Sequence, residues 1–195
     1  MGFLVGSGRV LLGGKRACWG QRWITIGIRR EEKNRWETRA PLSPSHAKDL
    51  MKLSDVKVLA QPCSKRIFTD QEYSAVGVKI SEDLQDCDII LGVKEIPPAK
   101  IVPGKMHMCF SHTHKGQPAG VPILAAFKEK KATLIDYELL KDGEGRRTLA
   151  FGKYAGYAGM INCLHGLGDR LLQLGYRTPF LVPSHFLIYL AITAS

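Results

Sequence analysis

The first 30 residues contain no acidic side chain, and nowhere does the chain hold the roughly 20 consecutive apolar residues that a bilayer-spanning helix requires. Membrane partners are therefore not expected. Cysteine is sparse. Cys18, Cys63, Cys87, Cys109 and Cys163 are far apart in the chain, which excludes both a disulfide framework and a zinc-binding spacing. No strand is followed by a GxGxxG turn, and neither a Walker loop nor a G-x-S-x-G elbow occurs. The stretch Gly152 to Gly159 reads G-x-x-x-G-x-x-G and suits helix packing better than a dinucleotide. There are no internal repeats and no low-complexity tract.

What is present is an ordinary globular composition in 195 residues, with 45% hydrophobic and 24% charged side chains and a net charge of +10. Six of those ten charges come from Arg9, Lys15, Arg16, Arg22, Arg29 and Arg30. With the excess gathered at one end, nucleic acid is not an expected partner. Residues 1–23 instead read as a mitochondrial targeting segment, Arg-rich and acid-free, with cleavage between Arg16 and Thr25 and a matrix location. Gly6, Ser7, Gly8 and Arg9 break the apolar run that a secretory signal would need.

Short apolar runs alternate with capped helical segments. Strands are predicted at 24–28, 56–60, 88–93, 106–110 and 133–137, with a short one at 147–151. Helices are predicted from the Ser43 cap to Leu53, from the Thr69–Glu72 capping box to Val76, and over 122–131 and 152–174. This alternation predicts an α/β fold with a mostly parallel sheet and flanking helices. After residue 180 a charge-free, β-prone run, Phe186 to Ile192, forms a divergent tail.

The chemistry gathers where strands end. Lys94 and Glu95 close the apolar run 88–93, and His112, Lys115 and Gln117 come after 106–110. In parallel sheets the carboxyl edge is where ligands bind, and Lys and His can share proton transfer there. The plainer readings are a snorkelling lysine and a structural histidine. Strand alternation would put His112 and His114 on one face, but no carboxylate or cysteine completes a metal shell in sequence, and no metal is expected. In the charged loop 30–39, Arg39 could grip a carboxylate with two parallel bonds, although a solvated loop is the simpler account.

Five motifs occur in order: R-x-E-x-K-x-x-W-E-x-R-x-P-L-S-P, V-K-E, F-S-H-T-x-K-x-Q, L-I-D-Y-E and A-F-G-x-x-A-G-x-A-G-M-I-N-x-L-H-G-L-G. Together, over about residues 24–180, they resemble the lysine–ketoglutarate reductase family of mitochondrial lysine degradation. That family is related to saccharopine dehydrogenases and, more distantly, to the N-terminal domain of alanine dehydrogenase and transhydrogenase. The resemblance implies the substrate-side, N-terminal half of a two-domain Rossmann-type dehydrogenase. Its reaction condenses lysine with 2-oxoglutarate, using NADPH, to give saccharopine.

The resemblance also implies roles. Lys94 and His112 match the acid–base pair, tuned by Glu95 and Glu138. Arg39, Lys115, Gln117, Arg147 and Phe151 match substrate-binding positions, and Arg146 matches a position near the dinucleotide. His114 and Gly116 depart from the family pattern, which favours a more apolar residue and an alanine. The nucleotide-binding domain is not expected within these 195 residues, so the chain is expected neither to hold NADP(H) tightly nor to catalyse alone. A second reading makes it a silent module that captures lysine, 2-oxoglutarate or saccharopine, or pairs with a longer enzyme or with itself.

Overall fold

The computed structural model describes residues 23–53 and 55–177. The targeting segment read at 1–23, except Trp23, and the tail read at 181–195 lie outside the described residues. The described chain divides into two compact units between Tyr137 and Glu138.

The first unit is built on six parallel strands: β1 (Ile24–Ile28), β2 (Val56–Ala60), β3 (Lys79–Ile80), β4 (Ile89–Lys94), β5 (Met106–Phe110) and β6 (Thr133–Asp136). Their order across the sheet is β3-β2-β1-β4-β5-β6. The chain starts at the centre, winds outward to β3, returns to pair β4 with β1, and then winds the other way. Such a reversal opens a crevice at the carboxyl ends of the central strands. The predicted α/β class and parallel sheet are what the structure shows. β3 has no counterpart among the predicted strands, because two residues carry no readable periodicity.

Three helices connect the strands: α1 (Pro44–Met51), α2 (Asp70–Ala75) and α3 (Val121–Glu129). Ser43 caps α1 by accepting from the His46 amide, with proline at the first helical position. The capping box of α2 forms as its sequence requires, with Thr69 and Glu72 each accepting from the other's amide. Ala47 of α1 and Tyr73 of α2 pack on Ile28, Val58, Ala60 and Val78. α3 puts Ile123, Ala126 and Phe127 against Ile96, Ile101 and Cys109. Between these clusters, the segment leading into β4 lays Leu84 and Cys87 against Ile90.

The second unit, over its described residues, has a turn at 142–145, closed by a single antiparallel bridge between Lys141 and Arg147. The strand expected at 147–151 is therefore absent. Arg147 gives its Nε to the Leu149 carbonyl, a local bond that competes with strand pairing. Next comes the long helix α4 (Lys153–Gln173). Tyr157, Met160, Leu164 and Leu167 are exposed along it at three- and four-residue spacing.

Gly27 lies where the segment entering β4 crosses β1 closely. A Cβ there would stand 2.8 Å from Cys87 Sγ and 3.2 Å from Leu84 Cδ2. Gly27→Ala should overpack this contact and destabilise the chain by about 1–3 kcal/mol. A fall in urea midpoint with an unchanged m-value would show it.

Candidate active site

The carboxyl ends of β1 and β4 are joined by one carboxylate. Glu31, just beyond β1, is 4% exposed. Its Oε1 accepts from the Val93 amide at 2.7 Å and its Oε2 from the Lys94 amide at 3.1 Å. The register between β4 and β5 shifts between Leu91 and Lys94, so Glu31 provides acceptors where the regular pairing is interrupted. Arg29 Nη1 lies 3.9 Å from Glu31 Oε2. Burial pushes the Glu31 carboxyl above its ordinary pKa, although the Val93 amide, the Arg29 charge and the Lys94 amide act against it. Gly92 makes this approach possible, since a Cβ there would meet Arg29 Cδ at 3.0 Å and Glu31 Oε1 at 3.3 Å.

β5 ends in a second polar cluster. Ser111 is buried and donates to Asp136 Oδ2 at 2.5 Å. It also shares a hydrogen bond with Thr113 Oγ1 and accepts from the Thr113 amide. These bonds turn the chain into a short 3-10 segment, Thr113–Lys115, instead of extending the strand. His112 enters that turn with left-handed backbone, φ 55°, a conformation uncommon outside glycine and often found at functional sites. The shared strand face expected for His112 and His114 is therefore not formed. His112 Nδ1 lies 3.3 Å from Lys115 Nζ, whereas His114 Nδ1 lies 3.6 Å from Asp136 Oδ2.

Lys94 ends β4 and pairs in register with Phe110, two residues before His112. The two candidate acid–base residues thus leave neighbouring parallel strands at the same edge. Glu95 binds Lys33 Nζ at 2.8 Å and also feels the His112 charge. Its pKa is net lowered: burial raises it, and the Lys33 bond and charge, a backbone amide and His112 outweigh that. Gln117 stands at the N-cap position of the next 3-10 turn, Pro118–Gly120, without a side-chain cap bond.

Arg39 is held by Glu37 through two parallel bonds, Nε to Oε1 and Nη2 to Oε2, each 2.7 Å. The fork expected to grip a ligand carboxylate thus holds a carboxylate of the chain itself. Burial would raise the Glu37 pKa, but the bonds and charge of Arg39, together with the Lys94 charge, bring it below its ordinary value. Through Glu37, the loop that carries Arg39 is electrostatically tied to Lys94.

The remaining candidates belong to the second unit. Arg147 Nη2 lies 3.4 Å from Glu138 Oε1, and Phe151 is exposed. Arg146 is well exposed, with its guanidinium on Asp142 at 2.9 Å and on Glu144 at 2.9 Å. The β1–α1 connection begins Arg29-Arg30-Glu31-Glu32 without a glycine, and Arg146 is already engaged by two carboxylates. The first unit therefore brings together Lys94, Glu95, His112 and Lys115 at one sheet edge, and the second pairs Arg147 with Glu138. Sequence reasoning missed Glu31, Glu37, Ser111 and Asp136. All four stand inside the five motifs, and for Glu31 and Glu37 the alternation of acids with Arg29 and Arg39 was the available signal.

Residues 27–158 match the family described as "Alanine dehydrogenase/PNT, N-terminal domain". The chain is 44% identical over 175 residues to "Alpha-aminoadipic semialdehyde synthase" of Arabidopsis thaliana, covering 87% of this chain and 16% of that protein. It is 47% identical over 156 residues to the Mus musculus protein "Alpha-aminoadipic semialdehyde synthase, mitochondrial", covering 80% of this chain and 17% of that one. "Saccharopine dehydrogenase [NAD(+), L-lysine-forming]" of Yarrowia lipolytica is 33% identical over 141 residues, 70% of this chain and 38% of the relative. The chain thus spans about a sixth of the length of the first two relatives. Among solved structures, an L-alanine dehydrogenase superposes with a TM-score of 0.60 at 22% identity, covering 77% of this chain and 42% of that one.

The Glu37–Arg39 pair yields a pH prediction. Because the folded pKa of Glu37 is depressed, its stabilisation is present above the ordinary value of 4.5 and is lost as pH falls below it through the folded pKa. Glu37→Gln should lower the urea midpoint at pH 7 and flatten its decline between about pH 5 and 3 relative to wild type. A midpoint series across that range measures both.

Proposed function

The chain belongs to the alanine dehydrogenase/PNT N-terminal domain family, and on that premise we propose that it forms the substrate side of a lysine–2-oxoglutarate reductase, in saccharopine-pathway lysine degradation in the mitochondrial matrix. The observation that carries the reading is the departure of Lys94 and His112 from adjacent parallel strands at one sheet edge. Similarity to α-aminoadipic semialdehyde synthases and saccharopine dehydrogenases supports it, and the mammalian relatives named mitochondrial support the location.

In this reaction the lysine ε-amine attacks the ketone carbon of 2-oxoglutarate, forming a C–N bond and a carbinolamine. The C–O bond then breaks, and the hydroxyl leaves as water with a proton from the protein. One member of the Lys94–His112 pair takes up the amine and carbinolamine protons, and the other protonates the leaving hydroxyl. Saccharopine carries three carboxylates; in the first unit Arg39 and Lys115 are the cations assigned to them, with Gln117 beside the substrate chain, and in the second the resemblance assigns Arg147 and Phe151 to substrate binding. Glu95 and Glu138 tune the local charge. NADPH, when bound, would supply the hydride that reduces the imine. Arg146 is the residue assigned near that cofactor, and tight NADP(H) binding by this chain is not proposed.

A second reading keeps the ligand and drops the turnover. In it the chain captures lysine, 2-oxoglutarate or saccharopine, or pairs with a longer enzyme or with itself. An NADPH-oxidation assay with lysine and 2-oxoglutarate separates the two readings, since only the first gives turnover.

Saccharopine titrated calorimetrically into the chain tests the site common to both. Binding should weaken by about tenfold or more in the Lys94→Met/His112→Gln double variant, equivalent to about 1.4 kcal/mol. Folded protein that gives no heat with saccharopine would overturn the reading.

A further inference from the structure

Two N–H groups, Val93 and Lys94, close on the two oxygens of one carboxylate that is nine-tenths buried. We propose that Glu31 is a positioning residue: it fixes the last two residues of β4 and thereby sets where Lys94 presents its amine. The inference rests on the substrate-side reading above, in which Lys94 touches ligand.

Three features of the geometry support it. First, the bonds fall at the register shift between Leu91 and Lys94, where the regular ladder with β5 is interrupted. Second, the carboxylate is itself fixed. It is buried against Arg29, and Gly92 leaves room for it that no side chain would leave. Third, it joins two strand ends. Glu31 lies just after β1 whereas Lys94 ends β4, so the carboxylate locks the tips of adjacent strands, 62 and 63 residues apart in sequence. The charged and titratable groups around it are Arg29, Glu37, Arg39, Lys94, Cys109 and Tyr137. Among the described residues, only Val93 and Lys94 give amides to it.

A carboxylate suits this task and a carboxamide does not. Two donors converge on Glu31, and an ionised carboxylate is acceptor-only on both oxygens. Glutamine would offer one acceptor and one NH2 group, so one of the two amides would face a donor. Glu31→Gln should therefore release the end of β4 with almost no change in volume. Gly92→Ala reaches the same end by another route. It keeps the charge but pushes the carboxylate aside, because its Cβ would stand 3.3 Å from Oε1.

The test uses the full chain labelled with [ε-13C]lysine, with Lys94→Met and Lys115→Met variants to assign the two resonances. Saccharopine is added to equal occupancy in wild type, Glu31→Gln and Gly92→Ala. The wild type should respond at both Lys94 and Lys115. In the variants the Lys94 response should fall at least about threefold, while the Lys115 response changes by less than about 1.5-fold, because only the β4 end has lost its acceptor. Amide exchange at Val93 and Lys94 should accelerate by about tenfold or more, with Gly27 unaffected. If one variant does not fold, the other carries the comparison. An unchanged Lys94 response overturns the inference, and so does an equal loss at both lysines, which would mark a purely structural role. No Lys94 response in the wild type overturns the substrate-side reading itself, a different result from either.

Discussion

The contact between the Glu31 carboxylate and the Val93 and Lys94 amides ties the middle of the sheet to the loop where its charges gather. β1 is paired on both sides, with β2 and with β4, so its end is held from both directions. A carboxylate placed just beyond that end passes the constraint to β4. The residues at and beyond the tip of β4 inherit it: Lys94, then Glu95 and its ion pair with Lys33. The neighbouring edge is fixed separately, by Ser111 on Asp136, which turns the chain after β5 and gives His112 its left-handed backbone. Two buried acids, each taken up by donors from another part of the chain, hold the two strand tips from which the candidate acid–base residues depart.

Burying acids is costly unless their acceptors are filled, and the site answers this in two ways. Glu37 has a full charge partner in Arg39 and keeps a low pKa despite its burial. Glu31 has mainly amides, with Arg29 at the edge of ion-pair distance, and its pKa stays high. The two carboxylates are six residues apart in one loop and oppose each other in their effect on acid stability. The raised Glu31 gives its contribution at low pH and loses it as pH rises through its folded value. The depressed Glu37 does the reverse.

Much of this was legible in the chain. The cores of the five main strands, the Ser43 cap and the Thr69–Glu72 box are local patterns, and these survived folding. So did the placement of Lys94 and His112 at the carboxyl edge, because an apolar run that must be buried fixes where its polar end emerges. Other features depend on partners distant in sequence. The turn at His112 is imposed by Asp136, 25 residues beyond Ser111, and defeats strand alternation. Glu31 sits in a charged loop whose plain reading is solvation, and only its donors on β4, more than 60 residues away, account for its burial. The fork of Arg39 reads as an offer to a ligand, although the nearest suitable carboxylate is Glu37, two residues before it.

The winding reversal carries a consequence for the order in which the molecule assembles. β1 and β2 can meet across a loop holding one short helix, but β1 and β4 come together only after the whole β2–β3 excursion has been laid down. Closing that longer loop costs more chain entropy and is repaid only when the central pairing forms. An early half-sheet of β1, β2 and β3 would carry the loop of Glu31, Glu37 and Arg39 without the strand ends that it serves. The geometry of this edge therefore depends on the longer closure, because its strand ends meet only when the second half of the sheet closes on the first.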